Sequence, residues 1–99
     1  METLNAISKV RFSSARPQRV QLQKLAGVIC DLICMEPSQE LSMAGRCAYY
    51  VIAGQGVIKT GKLSQELSLG SFATTDTEGH HSLVNTSEQR LICLAISNA

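Results

Sequence analysis

The feature that most constrains this chain is its punctuation after Val20. Short apolar or alternating runs recur, each cut off by a turn signal, and no long amphipathic helical pattern intervenes. Val20-Gln21-Leu22-Gln23-Lys24-Leu25 begins with apolar/polar alternation, the period-two pattern of a half-buried strand. Gly27 resets it. Val28 to Met35 is rich in β-branched and other apolar residues on both faces, Asp31 excepted, as expected of a strand covered on both sides. Glu36-Pro37-Ser38-Gln39 is a turn, and Glu40 to Arg46 reads either as a helical turn or as a short strand ended by Gly45. Cys47 to Ala53 is a strand, and Gly54-Gln55-Gly56 is the tight turn after it, where glycines supply positive φ at no steric cost. Val57–Thr60 and Leu63–Ser68 flank Gly61-Lys62 as a hairpin. Ser71–Thr74, His80–Val84 and Arg90–Ile96 complete the set, with turns at Asp76–Gly79 and Asn85–Gln89. About eight short strands at this spacing predict an all-β sandwich or barrel.

Length and composition narrow the class. The chain has 99 residues, enough for one domain with a core of its own. Residues 1–19, broken by Ser13-Ser14 and Arg16-Pro17, form an N-terminal arm or edge segment, and residues 20–97 the barrel. No apolar run approaches the roughly 20 residues that cross a bilayer. Met1-Glu2-Thr3-Leu4-Asn5 lacks the basic-then-apolar start of an export signal, so a cytoplasmic protein is expected. A net charge of +1 argues against a nucleic-acid partner. Lys9, Arg11, Arg16, Arg19 and Lys24 do crowd the first quarter, but only Phe12 there offers a stacking surface. They read as charges on a solvated edge strand, which also deter edge-to-edge pairing.

The cysteines fit the same picture. Cys30 and Cys34 on one strand would have Cα atoms about 13 Å apart at roughly 3.3 Å per residue, whereas a disulfide requires about 4.4–6.8 Å. Reduced thiols acting as small apolar side chains are expected at all four positions.

At Tyr49-Tyr50-Val51-Ile52-Ala53-Gly54-Gln55-Gly56 the sequence resembles the aromatic-aliphatic strand and glycine turn of the cupin superfamily. Gly70 to Asn85 resembles the second motif of that family: counted from Gly70, its histidine falls on His81 and its asparagine on Asn85. The motif proline and glycine positions hold Asp76 and Glu78. The resemblance, to small single-domain RmlC-like cupins, implies a double-stranded β-helix, a jelly-roll barrel of two antiparallel sheets. It also implies a metal held by two histidines and a glutamate of the first motif together with the histidine of the second. Anchored on Gly54, the glutamate position falls on Cys47, and the histidine positions on Leu41 and Met43, or on Glu40 and Ser42 with the longer spacer. Of the four ligands only His81 remains, so the metal motif is degenerate and no cofactor is expected. A divalent Fe, Mn, Ni or Zn ion would need a substitute set of Glu40, Cys47 and His81.

Strand alternation puts Leu83 and Asn85 on the face of His81, and Tyr49, Val51 and Ala53 on that of Cys47. If Cys47 points inward, so does Tyr49, with Tyr50 and Ile52 outward. Phe72 is expected on the inner wall. The candidate ligand site is therefore His81, Tyr49, Phe72, Met43, Cys47 and Leu83, a mostly apolar lining with few polar groups. The same side chains would equally fill a small barrel. His80 reads as a surface residue and Asn85 as a turn former. Candidate catalytic groups are His81, Tyr49 and Cys47, either as a thiolate–imidazole pair or, by resemblance to metal-independent sugar epimerases, as a histidine base with a tyrosine acid. Three functions stand open. One is a metal-free small-molecule-binding or accessory protein with a pocket near His81. Another is an enzyme, metal-dependent or an isomerase- or lyase-like one using His81 as base. The third is a structural or interaction module with a filled barrel. The apolar surplus of Ile92, Leu94 and Ile96, with Ile29, Ile33 and Met35, predicts a homodimer.

Overall fold

In the computed structural model, which describes residues 1–75 and 79–98, nine strands form two antiparallel sheets. They are β1 (Gln18–Leu25), β2 (Val28–Met35), β3 (Glu40–Ala44), β4 (Cys47–Ala53), β5 (Gly56–Thr60), β6 (Leu63–Leu67), β7 (Phe72–Thr75), β8 (His80–Val84) and β9 (Leu91–Asn98). One sheet has the order β1-β2-β9-β4-β7 and the other β3-β8-β5-β6. The ambiguous stretch after Gln39 is thus a strand, stopped by Gly45 at φ 83°. The turn expected at Asp76–Gly79 lies, for Asp76 to Glu78, outside the described residues.

The sheets face each other across a core of Ile33, Met35, Met43, Cys47, Tyr49, Val51, Ile58, Leu67, Leu83, Leu91, Cys93 and Ala95. These alternate along their strands, as the pleat requires. Two glycines near β5 act differently. Gly54 has φ 81° and its backbone touches the Arg90 carbonyl, so any side chain there would be both strained and in collision. Gly56 has no positive φ; it is glycine because the Val84 carbonyl lies where a Cβ would stand.

The N-terminal segment begins with a 3-10 turn at Ala6–Lys9, held by the Asn5 side chain, which accepts from the Ile7 amide. It then crosses the outer face of the larger sheet. The Arg90 guanidinium stacks 4.4 Å from the Phe12 ring centroid, Gln39 Nε2 donates to the Ser13 carbonyl at 2.7 Å, and the Arg11 backbone lies against the Cys34 thiol. This covers Leu32 and Cys34, which the alternation of β2 turns outward yet which are fully buried. All four cysteines are free thiols. Burial pushes Cys93 up to about 12 and raises Cys30 and Cys34, so these thiols stay protonated and apolar in character.

Two inward assignments are corrected here. β7 pairs with β4 in the register Tyr49↔Ala73 and Tyr50↔Phe72. Cross-strand partners share a face, so Phe72 points outward with Tyr50 and is 65% exposed, while Ala73 takes the inner position. Glu40 also faces out: β3 buries Met43 and tucks Leu41 against the core, leaving Glu40 and Ser42 exposed. Glu40 therefore cannot join Cys47 and His81 around one ion.

Candidate functional site

A layer of four side chains crosses the barrel interior. Met43 and His81 are register partners on β3 and β8, in the smaller sheet; Cys47 and Tyr49 come from β4 in the larger one. Tyr49 spans the gap. Its hydroxyl lies 2.5 Å from His81 Nε2 and 3.0 Å from Met43 Sδ, and the two rings meet edge to face at 5.7 Å. Tyr49, His81, Met43 and Cys47 are 1%, 2%, 4% and 5% exposed, and Leu83 beneath them is fully buried. Five of the six residues assigned to the site from sequence thus meet in the interior, and Phe72 does not.

The electrostatics of the layer are those of neutral groups. Burial, then the Cys47 thiol, raises the Tyr49 phenol far above its ordinary value. Burial, then the neighbouring His80, lowers His81. The phenol keeps its proton and the imidazole stays uncharged, which fits a dry interior. Nδ1 of His81 is buried and has no hydrogen-bond partner. With Nε2 committed to the phenol, neither group is presented to a substrate.

Asn85 is fully buried and organises the turn after β8. Its Nδ2 donates to the Gln89 carbonyl at 2.7 Å and the Met35 carbonyl at 3.2 Å, and its Oδ1 accepts from the Ser87 amide and hydroxyl. His80 is exposed on the opposite face of β8. The Cys47 amide donates to Thr75 Oγ1 at 3.0 Å, tying β4 to β7.

These side chains do not fit the metal that the fold family implies. The positions corresponding to its ligands carry the hydrocarbon of Leu41, the thioether of Met43 and the thiol of Cys47, and the one imidazole is bonded through Nε2 to Tyr49. Among the described residues no three His, Cys, Asp or Glu side chains come together. Ions of the Fe, Mn, Ni or Zn type need several converging nitrogen, oxygen or sulfur donors.

One polar feature was missed in the sequence. Arg19, read there as a solvated edge charge, is exposed on the edge strand β1, but it stands on the sheet face of Ile33 and Asp31. Its Nε donates to Asp31 Oδ2 at 2.6 Å, with Asp31 4% and the Arg19 side chain 42% exposed. Asp31 standing alone in the apolar run Val28–Met35 was the available signal, because a buried carboxylate requires a partner. Arg19 borders a cavity of about 270 Å³ at the barrel mouth, lined also by Ile29, Ala44, Gly45, Arg46, Ser97 and Asn98. This mouth lies directly above the closed layer. Ser97 is the register partner of both Ile29 and Cys47, and Ala44 follows Met43. A second, more apolar cleft of about 350 Å³ opens between the edges of β6 and β7, over Ile58, Leu63 and Ala73.

No protein-family model and no curated protein matches the chain. Solved structures do. TT1209 from Thermus thermophilus superposes with a TM-score of 0.90 at 19% identity, over 99% of this chain and 97% of that one. An uncharacterized conserved protein with a double-stranded β-helix domain from Klebsiella pneumoniae gives 0.88 at 19% identity, over 99% and 90%. An RmlC-like cupin protein from Desulfovibrio desulfuricans gives 0.79 at 16% identity, over 98% and 96%. At such identities the likeness speaks to architecture, and with two facing antiparallel sheets closed around one core the architecture is the double-stranded β-helix, the cupin fold.

Proposed function

We propose that this is a metal-independent small-molecule-binding or accessory protein that holds its ligand in the barrel mouth above His81, not against it. The observation that carries this reading is the Tyr49 hydroxyl, which takes His81 Nε2 and approaches Met43 Sδ, closing the interior. The opening next to that layer is the mouth at Arg19, Ile29, Ala44 and Ser97. Its volume is just under the roughly 300–1,000 Å³ of common ligand pockets, which suits a ligand of few heavy atoms. His81 then acts as a structural floor. A catalytic role for it as base is disfavoured, because its reactive nitrogen is bonded and sealed from solvent.

Native mass spectrometry and elemental analysis of the purified protein test this reading. A small molecule that is retained by the wild type and lost in Ser97→Trp, which fills the mouth, supports it. Stoichiometric Fe, Mn, Ni or Zn that disappears in His81→Ala overturns it.

The exposed apolar residues Val28, Tyr50, Phe72 and Ile96 all lie on the outer face of the larger sheet, and they favour self-association as a homodimer. A monomer in sedimentation at micromolar concentration would refute that part. Protonated, unpaired thiols agree with a cytoplasmic setting.

A further inference from the structure

Cys47, Tyr49, Val51, His81 and Leu83 show how fully this barrel buries its inward side chains, and β6 departs from that. Its register with β5 pairs Gly56 with Leu67, Ile58 with Gln65 and Thr60 with Leu63. Cross-strand partners share a face, and Ile58 and Leu67 belong to the core, so Thr60, Leu63 and Gln65 also stand on the inner face. Leu67 is 3% exposed there, yet Leu63 is 75% exposed and Gln65 is exposed with it. The cause is an open seam. β6 and β7 each end a sheet and do not pair with one another. They are tied at one end, where the Ser71 amide donates to the Ser68 carbonyl and the Ser68 amide to Ser71 Oγ, both at 2.9 Å. Toward the other end the inner surface opens into the cleft of about 350 Å³. Ile58, Thr60, Leu63 and Gln65 form one wall; Ala73 and Thr75, register partners of Tyr49 and Cys47, form the other. The cleft shares no lining residue with the mouth.

We propose that this cleft is a second binding site, independent of the mouth, for a small uncharged molecule that is mostly hydrocarbon and carries one hydroxyl or carbonyl oxygen. The hydrocarbon lies against Ile58, Leu63 and Ala73, and the oxygen meets the Thr60 hydroxyl or the Gln65 amide. The volume falls within the range of common ligand pockets, and the inward but exposed Leu63 gains by leaving water. Walls from two facing sheets admit a small molecule and not a folded surface. No lining side chain is charged, so a carboxylate or ammonium between the sheets would give up hydration without a counter-charge. A pure hydrocarbon would in turn strand polar groups. Thr60 is half-buried, and among the described residues neither its hydroxyl nor the Gln65 amide has a partner, whereas Thr75 Oγ1 is taken by the Cys47 amide.

The test is a titration of the full chain, followed by amide nitrogen–proton NMR, with cyclohexanol as the probe and cyclohexanecarboxylate as its charged counterpart. Cyclohexanol is expected to shift the amides of Thr60, Leu63, Gln65 and Ala73 saturably, and cyclohexanecarboxylate to bind about 10-fold more weakly or not at all. Leu63→Ser removes the exposed apolar wall and should weaken cyclohexanol about 10-fold. Thr60→Val keeps the shape but loses the hydroxyl and should weaken it about 5-fold. At 75% exposure Leu63 holds little of the core, so Leu63→Ser stays folded and serves if Thr60→Val does not. Equal binding of cyclohexanecarboxylate overturns the uncharged class, and shifts that never saturate, or that Leu63→Ser leaves unchanged, overturn the site. Shifts confined to Ile29, Ala44, Gly45 and Ser97 that vanish in Ser97→Trp overturn it as well, while supporting the mouth reading. Shifts at Leu63 that follow protein concentration without any probe give the cleft to a second copy of the chain, and overturn the proposal.

Discussion

The Tyr49–His81–Met43 layer and the Arg19–Asp31 pair share an inner surface, Asp31 and Tyr49 both being register partners of Ala95, and differ in what their polar atoms bond. In the layer a neutral phenol meets a neutral imidazole and a thioether, all nearly inaccessible. In the pair a buried carboxylate meets a guanidinium that water still reaches. Desolvation explains the division. Deep in the barrel the charged forms of tyrosine and histidine are too costly, so both remain uncharged and share hydrogen bonds. Beside the edge strand β1, a charge pair is tolerable because one partner keeps part of its hydration. The interior polar groups stabilise the barrel, and the Arg19 guanidinium keeps its contact with water.

That contrast can be broken in order of expected effect. Tyr49→Ala removes the side chain that bridges the sheets and should cost about 3–5 kcal/mol, the range for deleting a buried aromatic, read from urea unfolding. Tyr49→Phe keeps the ring and leaves His81 Nε2 unpaired; about 1–3 kcal/mol is expected, the penalty for an unsatisfied buried polar group. A negligible loss would show that the layer is held by packing alone.

The third prediction concerns pH. Because the folded-state value of His81 is depressed, by burial and then by His80, the unfolded chain binds a proton first as pH falls below about 6.5, the ordinary histidine value. The contribution of His81 is thus fully present above that pH and is lost as pH falls toward its folded value. Stability should drop more between pH 7 and pH 5 in the wild type than in His81→Leu, and parallel curves would contradict the neutral-layer account. The smallest effect belongs to Phe72. Placed outward beside Tyr50, Phe72→Ser should change monomer stability by no more than about 0.5 kcal/mol; a loss several times larger would return Phe72 to the core.

Much of the fold was legible because strands have a period of two. Alternation alone groups Cys47 with Tyr49 and Val51, and His81 with Leu83, and the turn residues at Gly27, Gly45, Gly54 and Gly61 fall where strands end. Alternation does not say which of two parities faces in, and that depends on pairing with a neighbour. Tyr50↔Phe72 turns Phe72 outward, and burial of Met43 on β3 turns Glu40 outward with it. Arg19 escaped for a similar reason. A bulge between Gln21 and Gln23 shifts the register of β1 against β2, so the alternation from Val20 onward is not one continuous face.

The sequence by itself determined an all-β chain, and of the side chains it placed inside, Met43, Cys47, Tyr49, His81 and Leu83 do meet there while Phe72 does not. Only the tertiary structure decided that the interior is closed. Tyr49 and His81 lie 32 residues apart on opposite sheets. Facing sheets pack about 10 Å apart, a gap that an inward tyrosine and an inward histidine together can span. Whether their tips meet depends on the stagger of the two sheets, a long-range quantity that no local pattern of residues carries.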